Sequence, residues 1–232
     1  MSKSAVTLFV AAEAREFTGL MQKVEKSERL SWPVQFARRV EHDGEMAVLV
    51  AHGPGPRLAA EAVRVASEHE AIRALVSTGF CGGLDPSLAI NDIFVARDIL
   101  GVGPALAPES KLRCRSGALI SGDRVAVTAA DKAELRKTGG DAVEMEAAGV
   151  ANAAQQLSVP FYCVRVITDT ADESLPLDFN EMRDAEGRFS RWRIVAAGLR
   201  KPGNVFPKLM QLNERCKSAS RTLGEFLVNC RF

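Results

Sequence analysis

The sequence predicts an α/β fold built around a mostly parallel or mixed sheet. Three observations carry this expectation. Short apolar runs alternate, along most of the chain, with segments whose apolar residues recur at helical spacing. Several of those runs are continuously apolar, as strands covered on both faces are. Turn residues separate the runs at most boundaries.

In order, residues 5–11 read as a first buried strand. Residues 13–24 place Phe17, Leu20, Met21 and Val24 at helical spacing, so a helix follows. Residues 34–40 and 46–50 are β-like, and Asp43-Gly44 between them is a hairpin signal. A Gly53-Pro54-Gly55-Pro56 turn leads into a helix over 58–67, and residues 74–76 form a buried strand that ends at Thr78 to Gly83. A strand over 90–96 precedes an irregular stretch, 101–117. A short strand at 118–120 stops at Ser121-Gly122-Asp123. A helix over 129–136, a strand beginning at 142–143, an Ala-rich helix over 145–157 and a strand over 161–167 complete the alternation. Residues 171–204 are polar, with short amphipathic pieces at best, and an amphipathic helix spans 209–228.

The balance of charge narrows the partners. Lys and Arg number 30 against 29 Asp and Glu, a net of +1, so the chain lacks the field expected of a nucleic-acid or anionic-membrane binder. At 47% hydrophobic and 25% charged it is a globular composition. At roughly 150 residues per domain, 232 residues correspond to about 1.5 domains, and the unbroken alternation favours one domain over 1–232. The five cysteines are irregularly spaced with no CxxC pair, which fits reduced thiols in the cytoplasm and neither a zinc ribbon nor a disulfide framework. His42, His52 and His69 show no metal-ligand spacing, so no metal and no organic cofactor are expected. The apolar run near the N-terminus is followed by Glu13, Arg15 and Glu16 without a cleavage pattern, and no stretch approaches the ~18–20 apolar residues of a bilayer span.

In open α/β sheets ligands bind at the carboxyl ends of the strands. That directs attention to Ala12-Glu13, to Thr78 to Gly83, to Ser121-Gly122-Asp123 and to Thr168-Asp169. Gly79, Gly82 and Gly83 permit close backbone approach, but their spacing matches neither GxGxxG nor a P-loop. Glu144 and Glu146 lie two apart at a strand-to-helix junction, so they point to different sides and serve different roles. A carboxylate there is suited to vicinal hydroxyls of a sugar; acids that merely complement a helix dipole are the equal alternative. Asp169 stands where a buried strand ends, beside the Thr168 hydroxyl. Partial desolvation there would favour a protonated carboxyl able to donate, whereas the simpler reading is a helix cap.

Together these segments resemble the nucleoside phosphorylase superfamily, most closely its branch of 5′-methylthioadenosine/S-adenosylhomocysteine nucleosidases. The resemblance rests on VAAE at 10–13, GPG at 53–55, STGFCGGL at 77–84, LISGD at 119–123, AVEMEAA at 142–148 and RVITDTAD at 165–172, which follow the family's order. It implies a three-layer α/β/α sandwich with a mixed, partly barrel-like sheet, and cleavage of a nucleoside N-glycosidic bond, as a homo-oligomer. By the same resemblance Asp169 protonates the departing purine. Glu146 binds ribose hydroxyls and Met145 packs on the sugar. Glu13 activates the attacking water, a role that a small shift of alignment would give to Glu16. The resemblance also brings Gly79, Phe80, Cys81, Gly82, Val125, Glu144, Thr168 and Phe179 to the substrate, Phe179 as an aromatic lid.

Three departures keep alternatives open. Phe80 replaces the Ser that usually contacts phosphate or water, and a phenyl ring cannot make that hydrogen bond. The family's glycine-led phosphate loop is absent, which favours hydrolysis, while Arg15 and Arg57 are the candidate phosphate ligands for a phosphorylase acting on a nucleoside with an unusual 5′ group. Residues 97–118 are shorter, and 171–204 longer, than the matching family stretches. A nucleoside-binding protein with little turnover is the third reading.

Overall fold

A computed structural model describes residues 5–184, 186–188 and 205–232. The strands are β1 (Val6–Ala11), β2 (Lys26–Arg29), β3 (Phe36–His42), β4 (Glu45–Ala51), β5 (Ile72–Gly83), β6 (Ile93–Ile99), β7 (Gly103–Pro104), β8 (Glu109–Ser110), β9 (Arg115–Ser121), β10 (Ala142–Glu144), β11 (Phe161–Asp169) and β12 (Cys230–Arg231). The helices are α1 (Thr18–Met21), α2 (Pro56–His69), α3 (Ala129–Lys137), α4 (Ala147–Leu157) and α5 (Val205–Val228), with 3-10 turns at Ala14–Phe17 and Phe179–Met182.

Ten strands form one sheet in the order β10-β9-β6-β11-β5-β1-β4-β3-β2, with β7 beside β6. A further pairing of β10 with β5 closes five strands into a ring, while β1 to β4 extend from it as an open sheet. Parallel pairs (β1–β4, β1–β5, β5–β11, β6–β9, β9–β10) mix with antiparallel ones. The α/β class and the partly barrel-like mixed sheet are therefore as expected.

Side chains alternate between two apolar layers. Leu8, Val10, Val48 and Leu75 pack with Ala59, Ala62, Val63 and Ala66 of α2 and Val150 and Ala154 of α4. Phe9, Leu49, Val76 and Val164 face the other way, onto Ala219, Leu223 and Phe226 of α5. Small residues let helices approach closely. An added Cβ on Gly149 of α4 would run into the Pro56 carbonyl at the start of α2, so α4 seats directly on that turn.

Some expectations change in extent. The helix expected over 13–24 is a 3-10 turn followed by only α1. β5 continues through Thr78 to Gly83, read above as the exit turn, because Gly82 and Gly83 pair with β10. The irregular stretch 101–117 holds β7, β8 and the start of β9. β2 was not foreseen, since its four residues KSER are all exposed and carry no apolar pattern. The hairpin of β3 and β4 turns at Asp43 and Gly44, both at positive φ (48° and 74°). There His42, Asp43 and Glu25 bring ligand atoms within 4.8 Å of one another, a proximity the spacing did not reveal. The Asp43 N–H donates to the Glu25 carboxylate at 3.2 Å, so this group also closes the turn. Residues 189–204, part of the polar stretch expected over 171–204, lie outside the described residues.

The contact at Gly149 is with backbone, which cannot swing aside. Gly149→Ala is therefore expected to destabilise by about 1–3 kcal/mol, the usual range for overpacking, read as a lower urea midpoint at unchanged m-value.

Candidate active site

A cavity of about 580 Å³ opens at the ends of β1, β5, β10 and β11. Arg165 of β11 organises its floor. Its side chain is fully buried, and it donates to the Ser77 hydroxyl (2.5 Å) and the Thr78 carbonyl (2.9 Å). Around it stand three buried carboxylates: Glu144 in direct ion pairing, Glu146 at 3.5 Å, and Glu16, which lies close enough to interact electrostatically.

Each acid is held differently. Glu144 accepts the Glu146 N–H (2.8 Å) and the Ala147 N–H (3.0 and 3.1 Å) at the start of α4, where orphan donors and the helix dipole favour an anion. Glu146 accepts the Gly55 N–H at 3.0 Å. Burial, then the neighbouring Glu144 charge, push its carboxyl up to about 8 against the pull of Arg165. Glu16 accepts the N–H groups of Glu13 (2.7 Å) and Phe80 (2.8 Å). Burial raises it too, partly offset by those hydrogen bonds and by Arg165. Burial works against the Arg165 charge, but the surrounding carboxylates outweigh it and keep the guanidinium protonated.

Asp169 lies at the end of β11, also on the cavity wall. Its Oδ1 accepts the Thr168 hydroxyl at 2.9 Å, as the sequence suggested. Its Oδ2 meets the Lys132 ammonium at 2.6 Å. Asp169 is therefore ion-paired and is not a helix cap. Sequence reading missed Lys132. Its sign was a lysine on the face of α3 that holds Ala129 and Arg136, where an apolar residue would be usual.

Phe80, Cys81, Gly82, Val125, Met145, Thr168 and Phe179 all line the cavity, as do Glu144, Glu146 and Arg15. Asn180 clamps the Val125 backbone on both sides (2.8 and 3.0 Å), which ties the Phe179 turn to the wall. Leu209, Leu212 and Cys216 of α5 also line the cavity and were not foreseen.

Three placements differ from the expected ones. Glu13 is on the cavity rim, paired with Arg15 at 2.5 Å, and it is Glu16 that joins the buried acids. The one-turn offset follows from the 3-10 turn, which points residue 16 inward. Gly79 does not line the cavity. Its φ of +135° and missing Cβ leave the space that the Glu16 carboxylate occupies. Arg57 turns away, donating to the Glu186 carbonyl at 2.8 Å and facing Glu61 at 3.5 Å. Arg15 does reach the rim, its guanidinium 5.9 Å above the Phe80 ring.

The sheet, mixed and partly closed into a ring, gathers acids from its strand ends around one cavity. The model of the phosphorylase superfamily matches residues 5–109 and 104–191, and the chain belongs to that superfamily. Solved structures share the fold over nearly the whole chain. The 5′-methylthioadenosine/S-adenosylhomocysteine nucleosidase of Neisseria meningitidis, in complex with methylthio-immucillin-A, is 22% identical with a TM-score of 0.69, covering 97% of each chain. That of Colwellia psychrerythraea, in complex with adenine, is 20% identical with a TM-score of 0.71, covering 98% of this chain and 95% of its own. That of Campylobacter jejuni is 17% identical with a TM-score of 0.70, covering 97% of each.

Three acids around one guanidinium are more negative charge than it can balance. Because Glu146 ionises far less readily folded than at its ordinary 4.5, its contribution to stability is present at low pH and is lost as pH rises toward about 8. Glu146→Gln keeps the acceptor for Gly55 and removes the charge. It is expected to melt with the wild type at pH 5 and about 2–4 °C above it at pH 9, as followed by thermal denaturation.

Proposed function

We propose that the protein cleaves the N-glycosidic bond of a purine nucleoside by hydrolysis. One observation carries the reading: Glu16, the Met145-Glu146 pair and Asp169 share one cavity, each fixed by its own hydrogen bonds. The adenine and methylthio-immucillin-A held by the Colwellia and Neisseria proteins support adenine as the base.

In this reading the sugar lies over Met145, with its hydroxyls donating to Glu146. As the C1′–N bond stretches, the ribosyl group becomes oxocarbenium-like, and the carboxyl oxygens beside it stabilise that developing charge. Asp169 transfers a proton to the departing purine. Glu16 accepts a proton from the attacking water, and burial, by raising its affinity for that proton, suits it to the task. Phe80 and Phe179, both on the cavity wall, flank the ligand.

Arg15 on the rim favours a second reading, phosphorolysis, in which it leaves Glu13 to bind phosphate. The five free cysteines fit a cytoplasmic protein, and no helix among the described residues is long and apolar enough to cross a membrane. The exposed Leu106 and Leu112 support a homo-oligomer, which light scattering would register as twice the chain mass or more.

Incubating the protein with a panel of nucleosides, with and without phosphate, is expected to release adenine from an adenosine-type substrate in both cases, with free ribosyl sugar as the product. Phosphate-dependent release with a sugar 1-phosphate would give the second reading. Asp169→Asn and Glu16→Gln are each expected to lower kcat by about 10²–10⁴-fold; unchanged turnover in both would sink the assignment.

A further inference from the structure

Resting on that reading, we infer that Lys132 is the positioning residue of the acid, acting on the substrate only through Asp169. Lys132 is the one buried residue of a helix whose other side chains are exposed or partly so, and lysines are almost never buried without a partner. An ammonium has three N–H donors, and here all three are used. They go to Asp169 Oδ2 at 2.6 Å, the Thr170 carbonyl at 2.6 Å and the Glu173 carbonyl at 3.0 Å.

Two of those acceptors are loop carbonyls, which a neutral donor would satisfy without the cost of desolvating an ammonium, several kcal/mol per ion. A charge is called for only by the third acceptor, and that acceptor faces the cavity. The Thr168 hydroxyl fixes the other oxygen of the same carboxylate. Gly82 completes the confinement, since a Cβ there would lie 2.9 Å from Oδ2. The Asp169 carboxylate is thereby held in one orientation.

The step this serves balances simply. The ion-paired Asp169 carboxylate takes up a proton from water as the nucleoside binds. That proton then bonds to the purine, whose ring takes the electron pair of the breaking C1′–N bond, and Asp169 returns to the carboxylate that the ammonium holds. The lysine also ties the acid to the cavity wall. It grips the loop at Thr170 and Glu173, and the Glu173 carboxylate pairs with Arg215 of α5 at 2.9 Å.

The test separates leaving-group assistance from general damage. Lys132→Met is expected to lower kcat for the purine nucleoside about 100-fold, the scale of a misplaced catalytic group, with KM within about threefold. Hydrolysis of 4-nitrophenyl β-D-ribofuranoside, whose phenolate leaves without a proton, is expected to change less than about threefold. In the Asp169→Asn background the same substitution is expected to cost less than about threefold more. Equal losses on both substrates, or full additivity with Asp169→Asn, would reduce the lysine to scaffolding and overturn the inference. If the wild type does not accept the aryl riboside, the double-variant cycle decides alone. If Lys132→Met does not fold, Lys132→Arg replaces it: it keeps the charge, shifts the donors, and is expected to lose about tenfold on the purine substrate and nothing on the aryl one. A wild type that releases base, with variants that match it, overturns only this inference. A wild type that releases no base from any nucleoside overturns the proposed function and this inference with it.

Discussion

Arg165 is the residue on which both fold and site depend. It projects from β11 and gathers acids from three separate segments: Glu16 from the turn after β1, Glu144 from the end of β10 and Glu146 from the start of α4. Breaking a buried ion pair by removing one partner costs roughly 3–5 kcal/mol, because the other charge is left stranded. Here the stranded charge would be that of Glu144, which pairs directly with the guanidinium. The ring closure of β10 on β5 and the seating of α4 both surround this cluster, so the guanidinium works as a keystone rather than as a substrate ligand.

The cavity has two electrostatic ends. At one, three carboxylates share a single cation, and burial makes Glu16 and Glu146 reluctant to ionise. At the other, Asp169 is paired with Lys132. A reaction that draws positive charge onto a sugar and negative charge onto a departing base runs along that axis. Fixed groups of this kind stabilise the developing charges without having to reorganise as they form.

Much of this was legible in the sequence, for physical reasons that differ between elements. β1, β5 and β11 are covered on both faces, so their continuous apolar runs identified them. β2 lies at the sheet edge with all four residues exposed, so no apolar pattern marked it. Glu144, Glu146 and Asp169 stood out because acids at strand ends are poorly explained by packing. Glu13 matches the family's motif, with Glu16 one alignment shift away, and only the 3-10 turn between them turns Glu16 inward. Lys132 was invisible for the same reason that Arg57 misled: the partner that decides each fate is 37 residues away in one case and 129 in the other.

Gly149 ties these threads together. It touches no part of the cavity, yet its bare Cα lets α4 rest on the Pro56 carbonyl, and the same turn offers the Gly55 N–H to Glu146. Distance from the ligand is therefore a poor guide to mutational tolerance here. In a saturation library selected for turnover, position 149 would behave like a catalytic position, while the exposed Asn152 of the same helix would accept change. The chemistry of this fold is guarded by a site where no side chain exists.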